Sequence, residues 1–465
     1  METKDSNYNN SNINHSDNNP DDQESALANT AFISEKIKQR PINRKKLLRR
    51  TITTVSLAVL FGGVACLTFF VLEPLINAKL YPEPEPTPVS LTEEVADTEI
   101  LPEDMYADDS EIVAEAANIA LSIEETEREV IDQAIASYIF DSNDFSQMYS
   151  SLRKLANTAL TSVVTVTSVT SDYNWFNDPY SKSDSVSGLL IADNGLNTMV
   201  LVSTSAISDA QSIQVTFCNG ITLDATLQMS DSISGLSILA IPDSKINSET
   251  EEVITYANLG TSNYSSLAGM PVIAVGHPVG VEGSICYGNI TSEKETLNLA
   301  DSSYKLLTTD IYGSSNGSGV LINLNGQVVG FITMAYNSDD NANVVCAYGI
   351  SELKKLIEDL SNERNRPYLG IHASTVPEYA HTNNDIPEGV YITQVDMDSP
   401  AMKAGLQSGD IICGINGEEI ISYDSFLSQL IEFNPEDEIT LNIKRFASEE
   451  YIDLELEATL TNSTE

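Results

Sequence analysis

The sequence predicts a mainly β protein carried outside a membrane by one transmembrane helix, with a disordered N-terminal tail ahead of that helix. Three observations predict it. Ile52–Leu72 is a run of 21 residues without a charge, about the ~20 that a helix needs to cross the hydrocarbon core. From about Met148, short runs of Val, Ile, Leu and Thr alternate with turn signals, as in Val163–Val169, Met199–Val202, Leu236–Ile241, Val272–Val275 and Val328–Thr333. Strands of that length and spacing argue a barrel or a sandwich. A last unit, residues 366–460, mixes strands with helical segments at Pro400–Ala404 and Asp424–Phe433.

Residues 1–50 begin with a stretch rich in Asn, Asp and Ser and poor in large apolar groups, which reads as disordered. They end in a basic juxtamembrane stretch with Arg44, Lys45, Lys46, Arg49 and Arg50. That cluster places the N-terminus in the cytoplasm by the positive-inside rule. The 50-residue leader and the lack of a small-x-small cleavage site argue for an uncleaved, single-pass anchor at 51–73.

Residues 74–147 read as an acidic stalk. Pro82, Pro84, Pro86 and Pro88 keep its start extended, and Glu83 to Glu127 holds 15 acidic residues with no Lys or Arg. Helical periodicity appears from Glu111 to Ile139. A β domain is expected over 148–360, closed by the helical segment Ser351–Leu360, and a polar linker at 361–367 leads to the final unit.

The formal net charge is −44, and after residue 50 there are 61 Asp/Glu against 15 Lys/Arg. Nucleic acid is excluded as a partner, because phosphate binding needs basic surface. Of the five cysteines, Cys66 lies in the apolar run and Cys218, Cys286, Cys346 and Cys413 are scattered singly. With no C-x-x-C spacing there is no metal or cofactor site to assign. The four read as isolated core thiols, with pairing left open.

Six segments, in order, resemble one family. They are Ser187–Ile191, Val215–Gly220, Asp231–Leu239, Leu259–Ser262, Ala274–Gly280, and Thr309–Asp310 followed by Asn316–Asn323. Together with the final unit they are similar to HtrA/DegP-like proteins, trypsin-fold serine proteases of the cell envelope that carry PDZ domains. The resemblance implies a trypsin-like double β-barrel at 148–360 and an α+β PDZ domain at 366–460.

A serine protease needs a nucleophile, a base and a carboxylate that orients the base. In the family's frames the histidine position is Ser205, the aspartate position Gly235 and the nucleophile position Gly317. All three roles are vacant. The segment between Asp310 and Gly326 is one residue short, so a shifted gap makes Ser318 an alternative nucleophile, still without a base. His277 fills the asparagine slot of the G-N-P-x-G motif and reads as a turn or strand-end residue.

Tyr368-Leu369-Gly370-Ile371 resembles the carboxylate-binding loop of HtrA-type PDZ domains. Consecutive backbone N–H groups there would meet a terminal carboxylate, and the strand after the loop would take a peptide by β-addition. Gly370 is expected to let the peptide end approach the backbone. Leu427 and Leu430, on the segment across the groove, would line the side-chain pocket. Ser399–Leu406 and Ser408–Gly417 read as cap, turns and core strands.

The expected function is a membrane-anchored HtrA-like pseudoprotease that binds peptide or protein C-termini in envelope quality control or scaffolding. The alternatives are a divergent active endopeptidase and a regulatory subunit of an active paralogue. Low cysteine use and the Lys/Arg-flanked anchor fit a bacterial envelope, and the resemblance implies a homotrimer.

Overall fold

The computed structural model describes residues 44–80, 86–91, 141–173, 179–208, 210–264, 266–337, 342–384 and 386–462. Most of the expected disordered tail and the helix expected at 111–139 lie outside the described residues.

Helix α1 spans Arg44–Leu80. Within it Leu48–Thr68 is long and apolar enough to cross a membrane. Every side chain from Thr51 to Thr68 is exposed. A helix that is apolar all round and buries none of that surface in protein fits lipid as its solvent.

The second unit begins with an extended segment pinned to the β domain. Thr87 N–H donates to the Asn194 carbonyl, Val89 N–H to Asn362 Oδ1, and Asn362 Nδ2 returns a bond to the Val89 carbonyl. Helix α2, Ser142–Ala159, follows, started by a capping box between Asp141 and Asp144.

Six strands close the first barrel: β1 Val163–Tyr173, β2 Pro179–Asp193, β3 Asn197–Ser203, β4 Ser212–Thr216, β5 Thr222–Asp231 and β6 Leu236–Pro242. After a four-residue helix α3, Ser248–Glu251, six more close the second: β7 Pro271–His277, β8 Ser284–Leu299, β9 Ser302–Tyr312, β10 Ser318–Ile322, β11 Val328–Ile332 and β12 Val344–Gly349. Strand order is β1-β2-β3-β6-β5-β4 in the first and β10-β11-β12-β9-β8-β7 in the second.

Near-continuous burial along β3 and β6 has a period-two explanation. Val200, Val202, Leu239 and Ile241 fill the first barrel, while Met199, Leu201, Ile238 and Ala240 face outward into a cluster between the barrels. The second barrel splits the same way. Val272, Ala274 and Leu321 point in; Ile273, Val275, Val320 and Ile322 join the shared cluster.

Helix α4, Ile350–Ser361, packs onto that cluster through Ile350, Leu353, Leu356, Ile357 and Leu360, the spacing of one apolar helical stripe. Buried Tyr348 ties the two halves, donating to the Ser234 carbonyl at 2.8 Å.

The remaining chain is a separate α+β layer. It comprises β13 Pro367–Tyr368, β14 Ile371–Thr375, α5 Glu378–Asn384, β15 Val390–Val395, α6 Pro400–Ala404, β16 Ile411–Ile415, β17 Glu418–Glu419, α7 Tyr423–Leu430, β18 Glu438–Ala447, β19 Glu450–Thr459 and β20 Thr461–Asn462. Its main sheet runs β14-β15-β16-β18-β19, which leaves β14 as an edge strand.

Leu369, Ile371, Ile392, Ile412, Phe426, Leu430, Leu441 and Ile443 are among its core residues. Ser399 caps α6, with Pro400 at the first turn and Gly405 ending it in the left-handed region. The expected cap and turn roles of Ser399–Leu406 therefore hold.

Candidate functional sites

Of the three positions expected to correspond to a triad, Ser205 and Gly235 lie in the first barrel, and Gly317 lies in the turn before β10 of the second. Ser205 sits in the exposed one-turn helix after β3, its Oγ 2.9 Å from Ser203 Oγ. The preceding residue, Thr204, donates its N–H to the Gly235 carbonyl at 2.8 Å. Ser205 and Gly235, the expected histidine and aspartate positions, are therefore close in space. Gly235 has φ +69, in the left-handed region that glycine adopts freely.

Gly317 is buried in the turn before β10. Its N–H donates to the Ser314 carbonyl at 2.8 Å. A Cβ built there would lie 2.8 Å from the Pro278 carbonyl oxygen and 3.0 Å from that of Ser314.

Ser318 begins β10, with His277 as its ladder partner. Its Oγ accepts the Ser187 N–H at 2.9 Å. The His277 ring reaches Ser187 Oγ through Nδ1, also at 2.9 Å. Sequence reasoning placed His277 at a strand end, and β7 does end there. Its proximity to Ser318 was not legible, because the β7–β10 pairing joins residues far apart in the chain. Burial pushes the His277 imidazole below its usual pKa.

The Tyr368–Ile371 loop is built as a carboxylate cradle. Gly370 has φ +86, so the loop turns where another residue would strain. A Cβ at Gly370 would lie 2.4 Å from Ser399 Cβ. The close approach that demands glycine is thus to the cap of α6. Glycine at this position therefore also serves packing inside the domain.

The cradle holds a carboxylate of the protein itself. Asp301 Oδ2 accepts the N–H groups of Leu369 at 2.7 Å and Gly370 at 2.6 Å, and Oδ1 accepts that of Ile371 at 3.2 Å. Asp301 N–H in turn donates to the Ile371 carbonyl at 2.9 Å. Ala300 and Asp301 form the two-residue turn between β8 and β9, in which Leu299 pairs with Ser302. Asp301 is 7% exposed. Burial raises its carboxyl to about 6, against the opposing effect of the three N–H donors.

Around this contact the two domains interlock. His372 lies between the Asn298 carbonyl and Asp396 Oδ1, at 3.3 and 3.0 Å. Tyr368 donates to Asp396 Oδ2 at 2.8 Å. Tyr423, on α7, reaches the Leu299 carbonyl at 3.5 Å.

A cavity of about 350 Å³ opens beside Asp301, lined by Arg366, Lys355, Leu427 and Leu430 among others. Leu430 is 2% exposed and belongs mainly to the core. Leu427 is the more available of the two. Asp301 carries no signal in the sequence, since a lone aspartate in a hairpin turn is common.

Among the described residues no cluster of His, Cys, Asp and Glu is placed to hold a metal ion. Cys346 is buried, Cys286 and Cys413 are half-buried, Cys218 is exposed, and none is paired.

Comparison with known proteins bears on both domains. Residues 186–331 match the family model described as a trypsin-like peptidase domain, and residues 367–456 match the PDZ domain. The serine protease Do-like HtrA of Bacillus subtilis is 28% identical over 258 residues, covering 52% of this chain and 56% of that protein. The Do-like HtrB of the same organism is 27% identical over 299 residues, covering 60% and 62%. The chain thus spans less than two thirds of the length of these relatives.

Among solved structures, the HtrA-type protease AlgW with decapeptide superposes with a TM-score of 0.50 at 19% identity, over 67% of this chain and 98% of that one. That likeness concerns the fold. Two closed six-stranded barrels followed by a PDZ domain give the chain a trypsin-like fold with a PDZ domain after it, an arrangement similar to that of the HtrA-type serine proteases above.

Proposed function

We propose that the chain is a membrane-anchored HtrA-like pseudoprotease that captures the C-termini of peptides or proteins through its PDZ domain, in envelope quality control or scaffolding. The nucleophile position carries the first half of this reading. Gly317 has no nucleophile, no room for a Cβ beside the Pro278 carbonyl, and an N–H already committed to Ser314. An oxyanion hole needs N–H groups aimed at the substrate oxygen. The cradle at Leu369–Ile371 supports the second half, because its donors suit a carboxylate and need no cationic side chain. The helix Leu48–Thr68 and the basic residues before it support a cytoplasmic N-terminus and an outward-facing pair of domains.

The test is chemical. The full chain in detergent micelles is treated with a fluorophosphonate probe and with casein, alongside Ser318→Ala. No labelling and no cleavage above the Ser318→Ala background are expected. The cluster of Ser318, Ser187 and His277 supports the rival reading of a divergent endopeptidase. Labelling or cleavage that Ser318→Ala abolishes would establish that rival and sink the pseudoprotease.

A further inference from the structure

We infer that Asp301 is an internal stand-in for a peptide's terminal carboxylate, so that the β8–β9 hairpin occupies the PDZ cradle and an incoming C-terminus binds by displacing it. The inference deepens the peptide-capture reading and rests on it for the identity of the ligand, though not for the closure itself.

The last residue of a bound peptide would present two groups to this loop: a carboxylate to the N–H donors and its own amide N–H to the edge strand. Asp301 presents both. Its carboxylate takes the N–H groups of Leu369, Gly370 and Ile371 while its amide donates to Ile371. Only the spacing differs, since an aspartate side chain sets one methylene between Cα and carboxylate where a chain terminus has none. β14 is the edge strand of its sheet, where an added segment finds unpaired backbone groups.

The occupation is specific. A carboxylate at 7% exposure must find donors or give up its charge. Among the described residues Asp301 is in no ion pair, and its carboxylate accepts from three backbone amides of this loop. A hairpin turn has no need of an acid for its own geometry. Asp301 has φ +49, where Asn or Gly is at least as comfortable. What Asp adds over them is the carboxylate. The cavity next to it, with Leu427 on its wall, leaves space for the terminal side chain that an aspartate does not supply.

The turn's backbone also makes the test clean. Asp301→Gly removes the carboxylate and suits positive φ. Asp301→Asn keeps the shape and removes the charge. Full-length wild type and both variants, in micelles, are titrated with fluorescein-labelled decapeptides ending in free valine, leucine or phenylalanine, each beside its amidated form.

The variants are expected to bind free-carboxyl peptides at least tenfold more tightly, Asp301→Gly most of all, with amidated peptides unchanged. Equal affinity of wild type and variants for a peptide that does bind would overturn the inference and leave peptide capture standing. If no peptide binds any form, amide hydrogen exchange over residues 369–371 decides. Faster exchange by tenfold or more in Asp301→Gly upholds the closure while the capture reading fails, and unchanged exchange overturns the closure too.

Discussion

A pH change should act on the closed cradle through one group. The Asp301 carboxyl sits at about 6 when buried in the loop, against an ordinary 3.8 once released to water. Because the closed-state value is the higher one, the closed form holds the proton more tightly. Closure is therefore fully favoured below the released value and weakens as pH rises through about 6. Between pH 7.5 and pH 5 that linkage strengthens the closing equilibrium about tenfold, roughly 1.4 kcal/mol.

A peptide that competes with the hairpin should bind the wild-type chain about tenfold more weakly at pH 5 than at pH 7.5, since its own terminus, at about 3.5, stays ionised at both. Asp301→Asn should show a flat profile. Other charged groups face the site. Asp396 raises the Asp301 carboxyl, His372 bridges Asp396 and the hairpin, and Tyr368 donates to Asp396. Glu352, Lys355, Arg366 and Asp424 line the cavity. The same titration in a His372→Gln background removes the nearest imidazole from the profile. Fluorescence anisotropy with a free-carboxyl decapeptide reads the affinity. Identical profiles for wild type and Asp301→Asn, or tighter wild-type binding at pH 5, would refute the linkage.

Gly370→Ala should destabilise the PDZ domain by a few kcal/mol, because φ +86 disfavours a side chain and Ser399 stands 2.4 Å from the new Cβ; thermal unfolding followed by near-UV circular dichroism checks it. Arg445 clamps the buried Asp410 through Nε and Nη2, both at 2.7 Å, so Arg445→Ala should cost about 3–5 kcal/mol in urea unfolding by leaving that carboxylate unpaired. Tyr348→Phe, which deletes the bond to the Ser234 carbonyl between the barrels, should cost about 1–3 kcal/mol in the same assay. Protease added to intact cells should release a fragment carrying the PDZ domain, and a fully protected fragment would reverse the proposed topology.

The sequence by itself determined the elements that local chemistry specifies. The uncharged run Ile52–Leu72 announced a membrane-length helix, because lipid accepts no unpaired polar group and length alone sets the requirement. The β runs of 148–360 announced a barrel or sandwich, since period-two burial writes itself into the chain, and the resemblance of the motifs specified the double barrel and the PDZ layer. The proposed vacancies at Ser205, Gly235 and Gly317 rest on residue identity within the frames of the resemblance. Helix α2 was not read, as its stripe is interrupted by polar residues and its start depends on the Asp141 cap.

What only the tertiary structure decided are the contacts between segments distant in the chain. Ser318 meets Ser187, and Ser187 meets His277, because strands of two barrels face each other. Asp301 meets Leu369, Gly370 and Ile371 across 68 to 70 residues. Sequence spacing carries no information about such a pair, for a hairpin tip and a loop are each satisfied locally by many residues. Only their docking removes water from the carboxylate and gives it these donors.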